Sequence, residues 1–154
     1  MGFIVVAIST KRVRLNIRFW NDFTQSYFPL FCFLENATKW LAVTQFETTG
    51  ARKSFPCFDE PEKKAQFKVI LGHSEDMVAR SNMDLIANET IPETGMIMDT
   101  FDTSVKMPTY LVAFLVADFG FTENKEDSTY TIWHQKSKDG QADYAAEIGK
   151  EYCK

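Results

Sequence analysis

The residue types most suited to chemistry lie in one stretch, residues 44–61, which reads TQFETTGARKSFPCFDEP. It has three candidate carboxylates: Glu47 directly follows an apolar, β-branched segment, and Asp59 and Glu60 precede Pro61. A carboxylate at the end of a strand is available to a ligand. It can equally form a surface ion pair with Arg52 or Lys53, and the residue types alone favour that ordinary ion pair.

The histidines and cysteines form no recognisable metal or nucleophile motif. A catalytic zinc site needs about three protein ligands, but His73 and His134 are the only two histidines and neither belongs to an H-E-x-x-H pattern. We interpret His73 as a surface residue at a strand end and His134 as an ordinary strand residue. The three cysteines, Cys32, Cys57 and Cys153, contain no C-x-x-C pair, so isolated thiols are favoured over disulfides or a metal site.

The composition is that of a globular domain. Of 154 residues, 45% are hydrophobic and 25% are charged, and the net charge of −4 counts against a nucleic-acid partner. The first apolar run precedes basic residues, the reverse of a signal peptide, and no apolar stretch reaches the roughly 20 residues of a membrane span. We therefore predict neither a signal peptide nor a transmembrane segment. Two N-x-[ST] sequons make Asn36 and Asn88 possible N-glycosylation sites.

Most of the chain after residue 38 is predicted to be strand. Residues 66–71 alternate between polar and apolar side chains, which is typical of a half-buried strand. In the segment IPETG, Pro92 presets φ and Gly95 can leave a turn, which predicts a hairpin. Strands are predicted over Lys39–Phe46, Gln66–Leu71, Val78–Leu85, Met96–Val105, Tyr110–Phe119 and Tyr130–Gln135. The long apolar segment 110–119 is expected to be covered on both faces.

Two helices complete the prediction. A short one follows Gln45–Glu47, where Thr48 or Thr49 can accept a bond from a free amide at the helix start. A C-terminal helix is predicted over Gln141–Tyr152, with an apolar face formed by Tyr144, Ile148 and Tyr152. The fold class is therefore mainly β, an incomplete antiparallel sheet domain over residues 39–154, preceded by a divergent segment over residues 1–38.

Several blocks of this sequence resemble one enzyme family in the same order and spacing. They are TQFETTGARKSFPCFDEPEKKAQFKV, SNM, KMPTYLVAFLVADF, IW and ADYAAEIGK. From about Lys39 onward the chain resembles the N-terminal domain of the aminopeptidase N family of zinc metallopeptidases. The resemblance implies a saddle-shaped β-sheet domain that packs against a thermolysin-like catalytic domain.

The resemblance also assigns roles to residues of the opening stretch. By position, Glu47 looks like the carboxylate that holds the free α-ammonium of a peptide substrate, and Gln45 looks like a residue lining the first side-chain pocket. Relatives that prefer acidic residues have Asp where this chain has Gln45, so neutral or basic first residues are expected here. We interpret FPCFDEP as structural support behind Glu47, with Cys57 packing rather than reacting.

The family's catalytic motifs are missing from the sequence. Neither G-A-M-E-N nor H-E-x-x-H occurs, so we expect no zinc site, no cofactor and no peptidase activity in this chain alone, although the full-length family uses zinc. The expected partners are peptide N-termini and either the missing catalytic domain or a full-length relative. The alternatives are a non-catalytic peptide-binding or regulatory module, or a gene-model fragment without a role of its own. The resemblance implies a plasma-membrane or extracellular location, whereas the chain itself leaves this open.

Overall fold

The structure is a computed structural model, and it describes residues 4–9, 14–19, 30–31, 41–123, 131–138 and 140–152. Side-chain surroundings are described for residues 41–123, 131–138 and 140–149. The chain forms two compact units, Met1–Ala117 and Asp118–Lys154. The division therefore does not fall near residue 38, where the sequence suggests a boundary.

The first unit contains two antiparallel sheets. Its strands are β1 Ile4–Ser9, β2 Arg14–Phe19, β3 Leu30–Phe31, β4 Leu41–Thr44, β5 Lys68–His73, β6 Val78–Ser81, β7 Leu85–Ile91, β8 Met96–Thr103 and β9 Phe114–Ala117. The five-stranded sheet has the order β2-β1-β5-β8-β7, and the four-stranded sheet has the order β3-β4-β9-β6. Because β1 pairs with β5 and β3 pairs with β4, residues before position 38 belong to both sheets.

Two strand features follow the sequence pattern. Phe67, Val69 and Leu71 are buried at alternate positions along and just before β5, as expected of a strand with one face in the core. The predicted turn at IPETG joins β7 to β8, and in it the amide of Gly95 donates to the Ile91 carbonyl at 2.8 Å. The single strand predicted over Val78–Leu85 is wrong, because β6 ends at Ser81 and the strand that enters the turn, β7, begins at Leu85. Gly95 has φ +68°, a left-handed conformation that glycine adopts without steric cost.

The predicted strand over residues 110–119 is wrong in its first half. Thr109–Leu111 is a 3₁₀ turn that follows Pro108, and β9 begins only at Phe114. The side chain of Asn82 bonds the backbone of this segment, donating to the Leu111 carbonyl and accepting from the Ala113 amide, both at 2.8 Å. A distant side chain therefore satisfies backbone groups that a continuous strand would place in a ladder.

The short helix is present, but its predicted cap is wrong. Helix α1 spans Ala51–Ser54, and its N-cap is Gly50, which makes no side-chain hydrogen bond. Neither Thr48 nor Thr49 therefore caps it. The amide of Arg52 instead donates to the carboxylate of Asp59 at 3.1 Å, so a residue beyond the end of the helix performs the capping.

The second unit combines a two-stranded antiparallel sheet with a helix. Strand β10, Phe119–Glu123, pairs with β11, Thr131–Gln135, and helix α2 spans Asp143–Tyr152. The helix packs through its small residues, since Ala142 just before it and Ala146 within it are buried while Tyr144 is 72% exposed. Of the face predicted from Tyr144, Ile148 and Tyr152, Tyr144 is therefore not packed, Ile148 is half-buried, and the side chain of Tyr152 lies outside the described residues.

The two units together confirm the mainly β, antiparallel fold class with two helices. None of the helices in the described ranges is sufficiently long and apolar to cross a membrane.

Candidate functional site

The candidate site is built on residues 45–50, called here the 45–50 loop, which joins β4 to α1. Its central side chain is Phe46, which is only 1% exposed, whereas Gln45 and Glu47 are exposed. Because neighbouring residues in extended backbone point to opposite sides, burial of Phe46 directs both polar neighbours outward. The amide of Gly50 donates to the Phe46 carbonyl at 2.8 Å and closes the loop.

Phe46 is held by other rings in edge-to-face contacts. Its ring centroid lies 5.9 Å from that of Phe55 and 6.1 Å from that of Phe114, and Phe55 in turn lies 6.3 Å from Phe67. Such pairs stabilise a core by roughly 0.5–1.5 kcal/mol each beyond their buried area. The first phenylalanine of FPCFDEP, Phe55, therefore packs against the loop, whereas the second, Phe58, is 79% exposed.

Glu47 carries the exposed carboxylate of the loop. Across the described ranges, its side chain makes no ion pair or hydrogen bond. The surface ion pair with Arg52 or Lys53 that the residue types favour is therefore not formed, because Arg52 binds Asp59 instead. The Glu47–Thr48 peptide bond is cis. Within the described residues, the Glu47 side chain is therefore exposed to solvent and has no partner.

Asp59 is another carboxylate of the stretch, and its surroundings are the opposite of those of the exposed Glu47. It is 3% exposed, and its Oδ2 accepts hydrogen bonds from the amide and Nε of Arg52, both at 3.1 Å. Its Oδ1 accepts from the Thr109 hydroxyl at 2.8 Å. We call Asp59, Arg52 and Thr109 the Asp59 cluster. It joins the start of α1 to the 3₁₀ turn that leads into β9.

The cluster changes the acidity of two groups. Burial by itself raises the pKa of Asp59, but the hydrogen bonds from Thr109 and Arg52 and the charge of Arg52 outweigh it, and the pKa is lowered. Asp59 is therefore ionised at neutral pH. The pKa of the Cys57 thiol is raised, first by burial and then by the negative charge of Asp59. Because the thiolate is the nucleophile, the raised pKa lowers the thiolate fraction of Cys57, and the partly buried side chain packs against the core.

The prediction that His73 is a surface residue is wrong. It stands at the end of β5 as expected, but it is 4% exposed and its Nε2 lies 3.2 Å from Oδ2 of the buried Asp99. Its Nδ1 lies 2.8 Å from the Ser74 carbonyl oxygen. His73 is thus an interior residue with both ring nitrogens engaged, because β8 brings a carboxylate next to it.

The described residues do not assemble a metal site. No group of three or more His, Cys, Asp or Glu side chains in these ranges could hold a metal ion. His73 lies in the first unit, whereas His134 lies in β11 of the second unit, 3.0 Å from the Thr122 hydroxyl. Asn88 is exposed on β7. Three other predicted residues, Cys32, Asn36 and Cys153, lie outside the described part of the chain.

Sequence reasoning did not identify Asp59 and Thr109 as buried hydrogen-bond partners. Asp59 is one of several acidic residues in its stretch, and Thr109 lies 50 positions away. The one local signal is the position of Asp59 two residues before Pro61, where a non-glycine residue adopts φ +52°. Asp tolerates the left-handed region better than most residues, but this preference does not identify its partners.

Comparison with known proteins gives a consistent match. Residues 3–111 match the peptidase M1 N-terminal domain. Endoplasmic reticulum aminopeptidase 1 of Rattus norvegicus is 38% identical over 146 residues, which cover 94% of this chain and 15% of the relative. Alanine/arginine aminopeptidase of Saccharomyces cerevisiae is 53% identical over 87 residues, covering 56% and 10%, respectively. Glutamyl aminopeptidase of Rattus norvegicus is 41% identical over 118 residues, covering 75% and 12%.

These figures also give the extent of the match. The chain spans 10–15% of the length of these three relatives. The family match begins at residue 3, so it includes the segment that the sequence blocks leave unassigned.

Proposed function

Because the chain belongs to the M1 aminopeptidase family, as its N-terminal domain, we propose that it binds the free N-terminus of a peptide substrate of a zinc metalloaminopeptidase. The observation that carries the proposal is the state of Glu47. It is an exposed carboxylate without a partner in the described ranges, on a loop whose central residue, Phe46, is fixed in the core.

The chemistry of this binding is a charge-assisted hydrogen bond. The α-ammonium of a peptide carries three N–H donors and a positive charge, and a carboxylate oxygen is its natural acceptor. A pair of this kind is weak where water surrounds it and stronger where a neighbouring surface excludes water. Glu47 thereby discriminates a free N-terminus from an acetylated one, which has lost the charge.

Gln45 is proposed to select the first side chain of the substrate. Its exposed amide is neutral and offers both a donor and an acceptor, so it does not attract a basic or acidic side chain as a full charge would. The relative named alanine/arginine aminopeptidase is 53% identical to this chain and the one named glutamyl aminopeptidase is 41% identical. The proposal of neutral or basic first residues therefore rests on the family resemblance, in which relatives that prefer acidic residues have Asp at the position of Gln45.

Zinc chemistry is not assigned to any residue described here. The two histidines lie in different units, and each has hydrogen-bonding partners of its own. Because the described ranges hold no cluster of three or more donors, the residues do not fit a catalytic zinc, which takes about three protein ligands. The proposed role of this chain is therefore binding and orientation of the substrate N-terminus.

An NMR titration of the ¹⁵N-labelled chain tests the role of Glu47. L-Leucinamide is expected to shift the amide signals of the 45–50 loop, whereas N-acetyl-L-leucinamide, which lacks the ammonium, is not. The variant Glu47→Gln should lose the response, and the matched control Glu60→Gln, which changes another exposed carboxylate of the same stretch, should keep it. Equal responses to the two ligands, or an unchanged response in Glu47→Gln, would refute the proposal.

The same titration with amides of other amino acids tests the role of Gln45. Alaninamide and argininamide are expected to bind more tightly than glutamic acid 1-amide, since Glu47 repels an acidic side chain that Gln45 does not attract. A preference for the glutamic acid amide would contradict the assignment.

A further inference from the structure

The Asp59 cluster centres on the buried carboxylate of Asp59, which is paired with the exposed side chain of Arg52. Both residues follow the 45–50 loop in the chain. A buried carboxylate is costly unless it is paired and hydrogen-bonded, and here both oxygens of Asp59 are used. In addition, Nη2 of Arg52 donates to the Asp59 carbonyl at 3.2 Å. Asp59 itself has the left-handed φ of +52°, which this bonding maintains.

The first connection from the cluster to Glu47 runs through α1. Asp59 accepts from the Arg52 amide, one of the first-turn amides that a helix leaves without an internal partner. The N-cap residue Gly50 has no side chain to do this. Gly50 also closes the loop through its bond to Phe46. Asp59 therefore fixes the end of the loop that follows Glu47.

The second connection runs through Thr109 and β9. Thr109 begins the 3₁₀ turn that leads to Phe114, whose ring packs on Phe46. The amide of Phe114 also donates to the hydroxyl of Thr44, the residue just before the loop, at 3.0 Å. Asp59 is thus bonded to the segments that hold both ends of the 45–50 loop.

From these connections we propose that Asp59 is a positioning residue for Glu47: its buried carboxylate joins α1 to the 3₁₀ turn and thereby sets where the carboxylate of Glu47 stands. The inference rests on the proposed function, because it assigns Asp59 an effect on how Glu47 binds an ammonium group. Asp59 itself is buried and does not touch the ligand.

The test compares two buried carboxylates of the same unit in the full chain. Asp59→Asn removes the negative charge and places a side-chain NH₂ group, which can only donate, next to the Arg52 and Thr109 donors. Asp99→Asn makes the same change in the five-stranded sheet, where the partner is His73, and so controls for general destabilisation. With L-leucinamide as probe, Asp59→Asn is expected to weaken binding about fivefold or more, and Asp99→Asn by less than about twofold, because distant sites act independently.

Amide hydrogen exchange gives a second measurement that needs no ligand. Asp59→Asn should speed exchange at Gly50 and Lys53, whose amides donate to the Phe46 and Gly50 carbonyls, by about tenfold or more at neutral pH, and Asp99→Asn should not. If the wild-type chain does not bind L-leucinamide through Glu47, the proposed function fails, and exchange alone decides whether Asp59 holds the loop.

Two outcomes would overturn the inference. One is an Asp59→Asn variant that is folded by circular dichroism and keeps both wild-type affinity and wild-type exchange. The other is an Asp99→Asn variant that loses as much affinity as Asp59→Asn. If Asp59→Asn does not fold, Thr109→Val takes its place, since it removes one donor to Asp59 and keeps the size of the side chain. Thr109→Val is then expected to weaken binding in the same sense.

Discussion

The 45–50 loop and the Asp59 cluster are two parts of one stretch of sequence with opposite physical properties. In the loop, Glu47 is exposed and, in the described ranges, makes no ion pair or hydrogen bond. In the cluster, Asp59 is buried and both of its oxygens accept hydrogen bonds. An exposed carboxylate without a partner is open to a ligand, whereas the hydrogen bonds of a buried one are already used within the fold. The comparison therefore separates the residue proposed to bind a ligand from one that supports the fold.

The largest expected effect is the difference in stability between variants of the two carboxylates. Asp59→Ala leaves the Thr109 hydroxyl and the Arg52 amide without their acceptor, and we expect it to lower the free energy of unfolding by about 2–3 kcal/mol. Glu47→Ala removes an exposed side chain and should change it by less than about 0.5 kcal/mol. Urea unfolding at neutral pH measures both. Similar losses in the two variants would remove the distinction.

A smaller effect is expected in the acid dependence of stability. Since the folded-state pKa of Asp59 is lowered, its contribution is fully present above the unfolded value of about 3.9. It is lost as the pH falls through the lower folded value. Wild-type stability should therefore fall more steeply below about pH 4 than that of Asp59→Asn. Urea unfolding at several acidic pH values tests this, and parallel curves for wild type and Asp59→Asn would contradict it.

The smallest effect concerns Ser54 in α1. Its hydroxyl is buried and, within the described residues, has no hydrogen-bond partner, so it contributes desolvation cost without a bond. Ser54→Ala should leave the free energy of unfolding unchanged or raise it, within about 1 kcal/mol. The matched change Thr109→Ala, which removes a bonded hydroxyl, should lower it. A clear loss of stability in Ser54→Ala would mean that this hydroxyl has a partner after all.

Local features such as strand alternation and turns could be predicted from the sequence, because each depends on residues only a few positions apart. Alternation buries Phe67, Val69 and Leu71, and the composition of IPETG produces the turn between β7 and β8. The motif blocks were sufficient for the family, since residues 3–111 match its N-terminal domain. The roles of Gln45 and Glu47 came from the resemblance and remain proposals.

Which of the described polar side chains have hydrogen-bond partners depends on the tertiary structure. Asp59 finds Thr109 across 50 positions, and His73 finds Asp99 across 26. Neither pairing produces a local sequence pattern, because the residue type Asp is the same whether the carboxylate faces water or accepts from a buried donor. The difference between a residue available to a ligand and one committed to the fold is a matter of long-range contacts and burial, and it arises only when the strands and helices are packed.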